Sequence, residues 1–148
     1  MTTTTLGRAL AQARARNDAL VAAYKSVARR ALSRAISSFA ASAADQRREL
    51  GLSLAEMLAA LPESLSGLEL PAEAAPALEA VDAETAEARA LLASFRDEEA
   101  QDRKLFADLA AAAAAVDQDA AIRLGAFAEQ ARKRSGLVGD HLDLLSLG

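Results

Sequence analysis

Apolar residues recur along this chain in alternating steps of four and three, the spacing of a helix face packed nearly parallel to its neighbours. One stretch reads Leu6, Leu10, Ala13, Asn17, Leu20, Tyr24, Val27, Ala31, and a second reads Leu32, Ile36, Phe39, Ala43, Gln46, Leu50, Met57, Leu61. After a gap come Leu78, Val81, Thr85, Ala88, Leu92, Phe95, Glu99, Asp102, Phe106 and Leu109, then Leu124, Phe127, Ala131, Arg134, Val138, His141 and Leu145. Each seam is interrupted by polar residues. A polar group in a packed seam costs stability unless it is paired, so Asn17, Gln46, Glu99, Asp102, Arg134 and His141 demand partners.

The pattern predicts four long helices in two hairpins. Thr5 is placed to cap the first. Nothing breaks the heptad steps between Tyr24 and Phe39, so residues 24–40 read either as a turn near Ala31–Ser37 or as one continuous helix. Ser33, Ser37 and Ser38 are caps for a new helix, and a helix from Thr5 to Glu49 would be about 68 Å long, so the turn is favoured. The first hairpin then spans residues 5–61. Pro62, Gly67, Pro71 and Pro76 mark residues 62–77 as a linker. Fully extended, it reaches about 50 Å, enough to run beside a 26-residue helix of about 39 Å. The second hairpin spans 78–137, with Asp117-Gln118-Asp119 as its turn and as the cap of the last helix. Gly136 and Gly139 are expected to loosen the end of that helix, leaving 138–148 as a tail. The expected core is Leu20, Tyr24, Phe39, Leu92, Phe95, Phe106 and Phe127.

Composition agrees with helix throughout. Alanine dominates the 148 residues, and alanine has the highest helix propensity. Long alternating β-branched runs are missing, which argues against any sheet. There is no cysteine, which excludes disulfides, zinc–thiolate sites, iron–sulfur clusters and cysteine nucleophiles. The Met1–Thr5 start does not read as a signal peptide, and the most apolar stretch, Leu105–Val116, is too short to span a bilayer. A soluble cytoplasmic protein with no membrane partner is the expectation.

Charge is split. Residues 1–50 carry nine Lys/Arg against three acids, residues 51–100 two against eleven, and the whole chain is at −4. Two readings follow: a basic hairpin lying beside an acidic helix within one bundle or across a dimer, or a nucleic-acid patch on Arg29, Arg30, Arg34, Arg47 and Arg48. No aromatic platforms accompany those arginines and the chain is acidic overall, so the expectation is complementary faces and no nucleic acid.

The two hairpins also resemble each other. Tyr24-Lys25-Ser26-Val27-Ala28 lines up with Phe106-Ala107-Asp108-Leu109-Ala110, and Phe39, Ala40 and Ala43 line up with Phe127, Ala128 and Ala131. That register sets Asn17 opposite Glu99 and Gln46 opposite Arg134. Glu99 precedes Phe106 by seven residues, as Asn17 precedes Tyr24, and each hairpin's second helix carries a Phe-x-x-x-Ala start. In this spacing and aromatic placement the chain resembles the ferritin-like, rubrerythrin-like family across nearly its whole length. The resemblance implies a four-helix bundle with a long crossover between hairpins. It also implies a dinuclear iron centre built from a Glu on each of two helices and a Glu-x-x-His on each of the other two. Carried over, those positions are Asn17, Gln46, Glu49, Glu99, Arg134 and Leu137. Only two carboxylates remain there and no histidine, and moving the last helix by three residues substitutes only Ala131 and Arg134. A guanidinium cannot be deprotonated to admit a metal. The expectation is no metal and no cofactor, with a polar cluster of Asn17, Gln46, Glu99, Asp102 and Arg134 instead, in which Glu99 approaches Arg134.

The remaining chemistry is thin. Glu99 and Asp102 lie one turn apart as a carboxylate pair, His141 reads as a surface or interface residue, and the scattered glycines form no phosphate loop. Three functional readings stay open. The first is a non-catalytic bundle, expected as a homodimer because narrow alanine-rich helices from two protomers can approach closely. The second is a helical export or flagellar-type chaperone holding a partner helix, which should show an exposed apolar groove or an unbroken first helix. The third is a degenerate metal-dependent oxidase or peroxidase using Glu49, Glu99 and Asp102 with one cation.

Overall fold

The computed structural model describes residues 3–30, 33–71 and 86–147. It is predominantly helical. Helix α1 spans Leu6–Arg29 and α2 spans Arg34–Ala59, followed by a single turn, α3, at Glu63–Ser66. Helices α4, Ala88–Ala113, and α5, Gln118–Leu147, complete the set. Thr5 caps α1 by accepting from the Arg8 N–H at 3.2 Å, and Ser33 caps α2 by accepting from the Ile36 N–H at 3.1 Å. These caps answer donors that the first helical turn leaves without partners. The open question at residues 24–40 is therefore resolved as a break: α1 stops at Arg29 and Ser33 starts a new helix. Asp117 Oδ1 accepts from the Ala120 N–H at 3.2 Å and caps α5.

Contacts between side chains fix the helix directions. Asn17 meets Arg47 and Tyr24 meets Phe39, so α1 and α2 are antiparallel; Glu99 meets Arg134 and Phe106 meets Phe127, so α4 and α5 are too. Arg16 meets Asp102 while Tyr24 stacks on Phe95, which sets α1 antiparallel to α4. Phe39 against His141 and Gln46 against Arg134 do the same for α2 and α5. It follows that α2 and α4 point the same way, and the chain between them must travel the bundle's length. Described residues on either side of it lie at opposite ends of α1. Leu68 O accepts from the Leu6 N–H at 2.8 Å at the start of α1, whereas Ala86 O accepts from Arg30 Nη1 at 2.7 Å beyond the end of α1. The 24 residues of α1 put those points about 36 Å apart.

Two clusters of buried apolar side chains fill the interior, one on each side of the bundle's middle. One gathers Leu6, Leu10, Leu54, Leu65, Phe106 and Leu124; the other gathers Leu20, Tyr24, Ile36, Leu91, Phe95 and Val138. Both draw on all four long helices. Among the described residues no helix is long and apolar enough to cross a membrane.

Four expectations need correction. First, a two-stranded antiparallel sheet exists: β1, Thr3–Thr5, pairs with β2, Glu69–Pro71, in the register Thr4↔Leu70. The extended approach to the Thr5 cap lies beside the extended start of the crossover, and β-branched threonines suit such a pair. Second, α5 runs on through Gly136 and Gly139 to Leu147, where a tail was expected from residue 138. A helical glycine costs roughly 1 kcal/mol relative to alanine. Burial of Val138 and packing of Leu142 and Leu145 on the second cluster offset that cost. Third, the α2 seam is displaced by one residue over part of its length. The buried positions include the unbroken 4,3 series Ile36, Ala40, Ala43, Arg47, Leu50, Leu54 and Met57, with Ala44 beside it, while Phe39 is half-buried and Gln46 exposed. Fourth, α4 begins at Ala88; the expected seam positions Leu78, Val81 and Thr85 lie outside the described residues, as do Pro76 and Ala77.

Phe106 is 1% exposed and meets Phe127 edge-on with ring centroids 5.5 Å apart. Phe106→Ala should therefore cost about 3–5 kcal/mol in urea denaturation, as for other buried aromatics cut to alanine. A near-neutral result would mean that the seam between α4 and α5 is wrongly drawn.

Candidate functional site

Between the two apolar clusters lies a layer of charge. Among the described residues seven polar ones are buried: Arg16, Asn17, Arg47, Glu98, Glu99, Asp102 and Arg134. They come from all four long helices because each occupies, or flanks, a seam position near mid-helix. Three guanidinium groups face three carboxylates, so the layer carries no net charge. That balance is what allows it to be dry.

Glu99 is its hub. Its Oε1 accepts from the Tyr24 hydroxyl at 3.0 Å, from Arg47 Nε at 2.9 Å and from Arg134 Nε at 3.1 Å. Its Oε2 accepts from Arg134 Nε at 3.0 Å. Arg47 is fully committed: besides Glu99, its Nη1 donates to Asn17 Oδ1 at 2.8 Å and its Nη2 to Asp102 Oδ2 at 2.7 Å. Asn17 in turn donates to the Arg47 carbonyl at 2.7 Å. Asp102 reaches across to α1 through Oδ1, which accepts from Arg16 Nε at 2.7 Å. Arg16 Nη2 also donates to the Glu98 carbonyl at 3.0 Å and contacts the Glu98 carboxylate. Arg134 Nη1 points to Gln46 Oε1 at 3.4 Å, and its Nη2 has no hydrogen-bond partner among the described residues.

Two aromatic contacts hold the hub in place. Tyr24 stacks on Phe95 with centroids 4.1 Å apart and meets Phe39 edge-on at 6.0 Å. A glycine makes room on the opposite side. A Cβ at Gly51 would sit 3.1 Å from Asn17 Nδ2, so its absence lets α2 close on α1 at the level of the Asn17–Arg47 contacts. Burial, then the charge on Glu99, hold the Tyr24 phenol neutral well above its ordinary range, against the weaker pull of Arg47 and Arg134. Burial works against the Arg47 charge, but Glu99 and Asp102 outweigh it and hold the guanidinium above its already high value.

Of the residues singled out from sequence, the structure brings together Asn17, Glu99, Asp102 and Arg134, with Gln46 at the rim. Glu99 and Arg134 are paired directly. Glu49 and Leu137, the remaining positions carried over from the ferritin-like pattern, are exposed and outside the layer. The phases of their helices turn them outward. His141 is half-buried against Phe39, with centroids 5.1 Å apart. Among the described residues no group of three or more His, Cys, Asp or Glu is arranged to hold a metal ion.

Sequence reasoning missed Arg16, Arg47, Glu98 and the hydroxyl of Tyr24. Arg47 was assigned to a basic surface, yet its side chain is 0% exposed. Two signals were present. The 4,3 series through Ile36, Ala40 and Ala43 lands on Arg47, and two buried acids with only Arg134 opposite leave a charge unbalanced. Arg48, the other α2 residue of that basic run, is exposed and pairs with Asp45. No family model, curated protein or solved structure matches the chain.

Two measurements test this layer. Arg134→Ala should cost about 3–5 kcal/mol, because it leaves the buried layer with one uncompensated negative charge. Glu99→Gln combined with Arg134→Met should cost less than that single change, since Arg16 and Arg47 still balance Glu98 and Asp102. A double variant weaker than the single one would mean that the layer is not balanced as a unit. Tyr24 is the chain's sole tyrosine, so its ionisation is directly visible. Its folded pKa lies above the unfolded value of about 10. The stability contributed by the neutral phenol is thus full below about pH 10 and falls as pH rises through the folded value. Phenolate absorbance should appear only with alkaline unfolding; a normal titration of folded protein would place the hydroxyl in water.

Proposed function

We propose that this chain is a non-catalytic helical bundle of ferritin-like organisation, in which an arginine–carboxylate layer stands where that family holds its metal. The observation that carries this reading is the commitment of Glu99. Its carboxylate accepts from two arginines and a tyrosine, and both arginines are at most 1% exposed. A cation entering there would have to displace permanent positive charges. Two antiparallel hairpins joined by a connection that runs the length of α1 support the ferritin-like part.

On this reading the protein acts through its surface. It associates as a homodimer in the cytoplasm, and a protein partner suits it better than a nucleic acid. Leu137 and Leu144, two turns apart on the outer side of α5 and 46% and 60% exposed, supply an apolar stripe for such contact. The chaperone reading loses one of its two marks, since the first helix is broken between Arg29 and Arg34. The oxidase reading loses Glu49, which lies outside the layer.

The test is metal analysis of the purified protein after incubation with iron(II) or manganese(II), with sedimentation of the same sample at micromolar concentration. The expected result is substoichiometric metal and the mass of a dimer. Stoichiometric metal that disappears in Glu99→Gln would overturn the non-catalytic reading, and a monomer alone would overturn the association.

A further inference from the structure

A cleft of about 310 Å³ opens between α2 and α5, lined by Gln46, Glu49, Leu50, Ser53, Phe127 and Gln130. These two helices meet less closely than the partners within either hairpin. Because α2 and α5 are antiparallel, Gln46 stands level with Arg134, and Ser53, seven residues on, stands near Phe127. At a rise of 1.5 Å per residue those ends are about 10 Å apart. Leu50 and Phe127 are buried and form an apolar floor, while Glu49 and Gln130 are exposed on the lips. The volume lies at the small end of the range for small-molecule sites, roughly 300–1,000 Å³.

The inner end holds an unmet demand. Arg134 is 1% exposed, and its Nη2 has no partner among the described residues. Between Arg134 and the cleft stands Gln46, held by two long bonds: 3.4 Å from Arg134 Nη1 to its Oε1, and 3.5 Å from its Nε2 to Ser42. Both exceed the usual N–H···O range, so turning this side chain outward gives up little. A carboxylate taking the place of the Gln46 oxygen can accept from both terminal nitrogens of Arg134, the bidentate arrangement that arginine favours. A simple anion would then face the negative charge of Glu49 on the lip, which has no ion-pair partner among the described residues. A ligand with an ammonium beside its carboxylate answers both and adds no net charge to a layer already balanced.

We propose that this cleft binds a free α-amino acid with an apolar side chain. Its carboxylate is held by Arg134 once Gln46 turns aside, its ammonium by Glu49, and its side chain lies over Leu50 and Phe127. The site is independent of metal binding and of the dimer.

Calorimetric titration with L-leucine tests it, run beside three analogues that each lack one group: 4-methylpentanoate without the amine, 3-methylbutylamine without the carboxylate, and glycine without the side chain. Leucine should bind, and each analogue should bind at least about tenfold more weakly, roughly 1.4 kcal/mol per lost interaction. Glu49→Gln, a change at an exposed position outside the buried layer, should weaken leucine by about tenfold and leave 4-methylpentanoate unchanged or tighter. An unaltered urea midpoint shows that the variant is folded. No binding of leucine at millimolar concentration overturns the proposal. So does equal binding of leucine and its analogues, or an affinity for leucine that Glu49→Gln does not change.

Discussion

Everything in this molecule is arranged around one oxygen. Glu99 Oε1 sits in a side chain with no solvent exposure and accepts from donors on three other helices: Tyr24 on α1, Arg47 on α2 and Arg134 on α5. Taking a carboxylate out of water costs several kcal/mol unless its lone pairs are met, and taking arginines with it repeats the cost. The compensation is geometric. Each charged group is answered by one on another helix, and the three positive and three negative charges cancel. Such a layer need not add net stability over an apolar one of equal volume. What it adds is register: sliding the α4–α5 hairpin by a turn would break the Tyr24–Glu99 hydrogen bond and leave at most one of Glu99 and Asp102 level with Arg47. Apolar seams of leucine and alanine tolerate such a slide far better.

The charge split between the first and second thirds of the chain acquires a physical meaning here. Arg16 and Arg47 belong to the basic third, Glu98 and Glu99 to the acidic one, and these residues meet in the interior. The complementarity is thus partly internal. Exposed basic residues such as Arg29 and Arg34 remain on the surface near the end of α1 and the start of α2.

How far the sequence revealed this depends on the helix. For α1, α4 and α5 the 4,3 series passed through the residues that prove buried, and Asn17, Glu99, Asp102 and Arg134 emerged because they interrupt those series. On α2 the series ran through Phe39 and Gln46, one residue off the buried positions Ala40 and Arg47. Phe39 and Gln46 looked the better seam because phenylalanine is more apolar than Ala40 and glutamine less costly to bury than Arg47. Tertiary pairing decided otherwise: Arg47 is buried because three partners wait for it, and single-residue hydrophobicity carries no trace of that. Arg16 and Glu98 were missed for a related reason. They flank the seam, and only the closeness of α1 to α4 turns that flank inward. The short sheet and the full length of α5 depend likewise on contacts with distant segments.

The wide spacing of the network's members along the chain shapes how the molecule assembles. Asn17 and Arg47 are 30 residues apart and Glu99 and Arg134 35, so each hairpin holds part of the layer by itself. The links between hairpins are far longer: 52 residues for Arg47 to Glu99, 75 for Tyr24 to Glu99 and 86 for Arg16 to Asp102. Helical hairpins form quickly because their contacts are local, whereas contacts this distant must first close a large loop. Until they do, the first hairpin presents Arg16 and Arg47, and the second presents Glu98 and Asp102, to water. Docking is then the step at which both sets lose their hydration together. Opposite charges draw the two halves toward each other, yet the final dehydration goes forward only when every member is in place. A chain built this way gains an electrostatic guide during its search and a checkpoint at the end of it, with misaligned encounters kept wet and reversible.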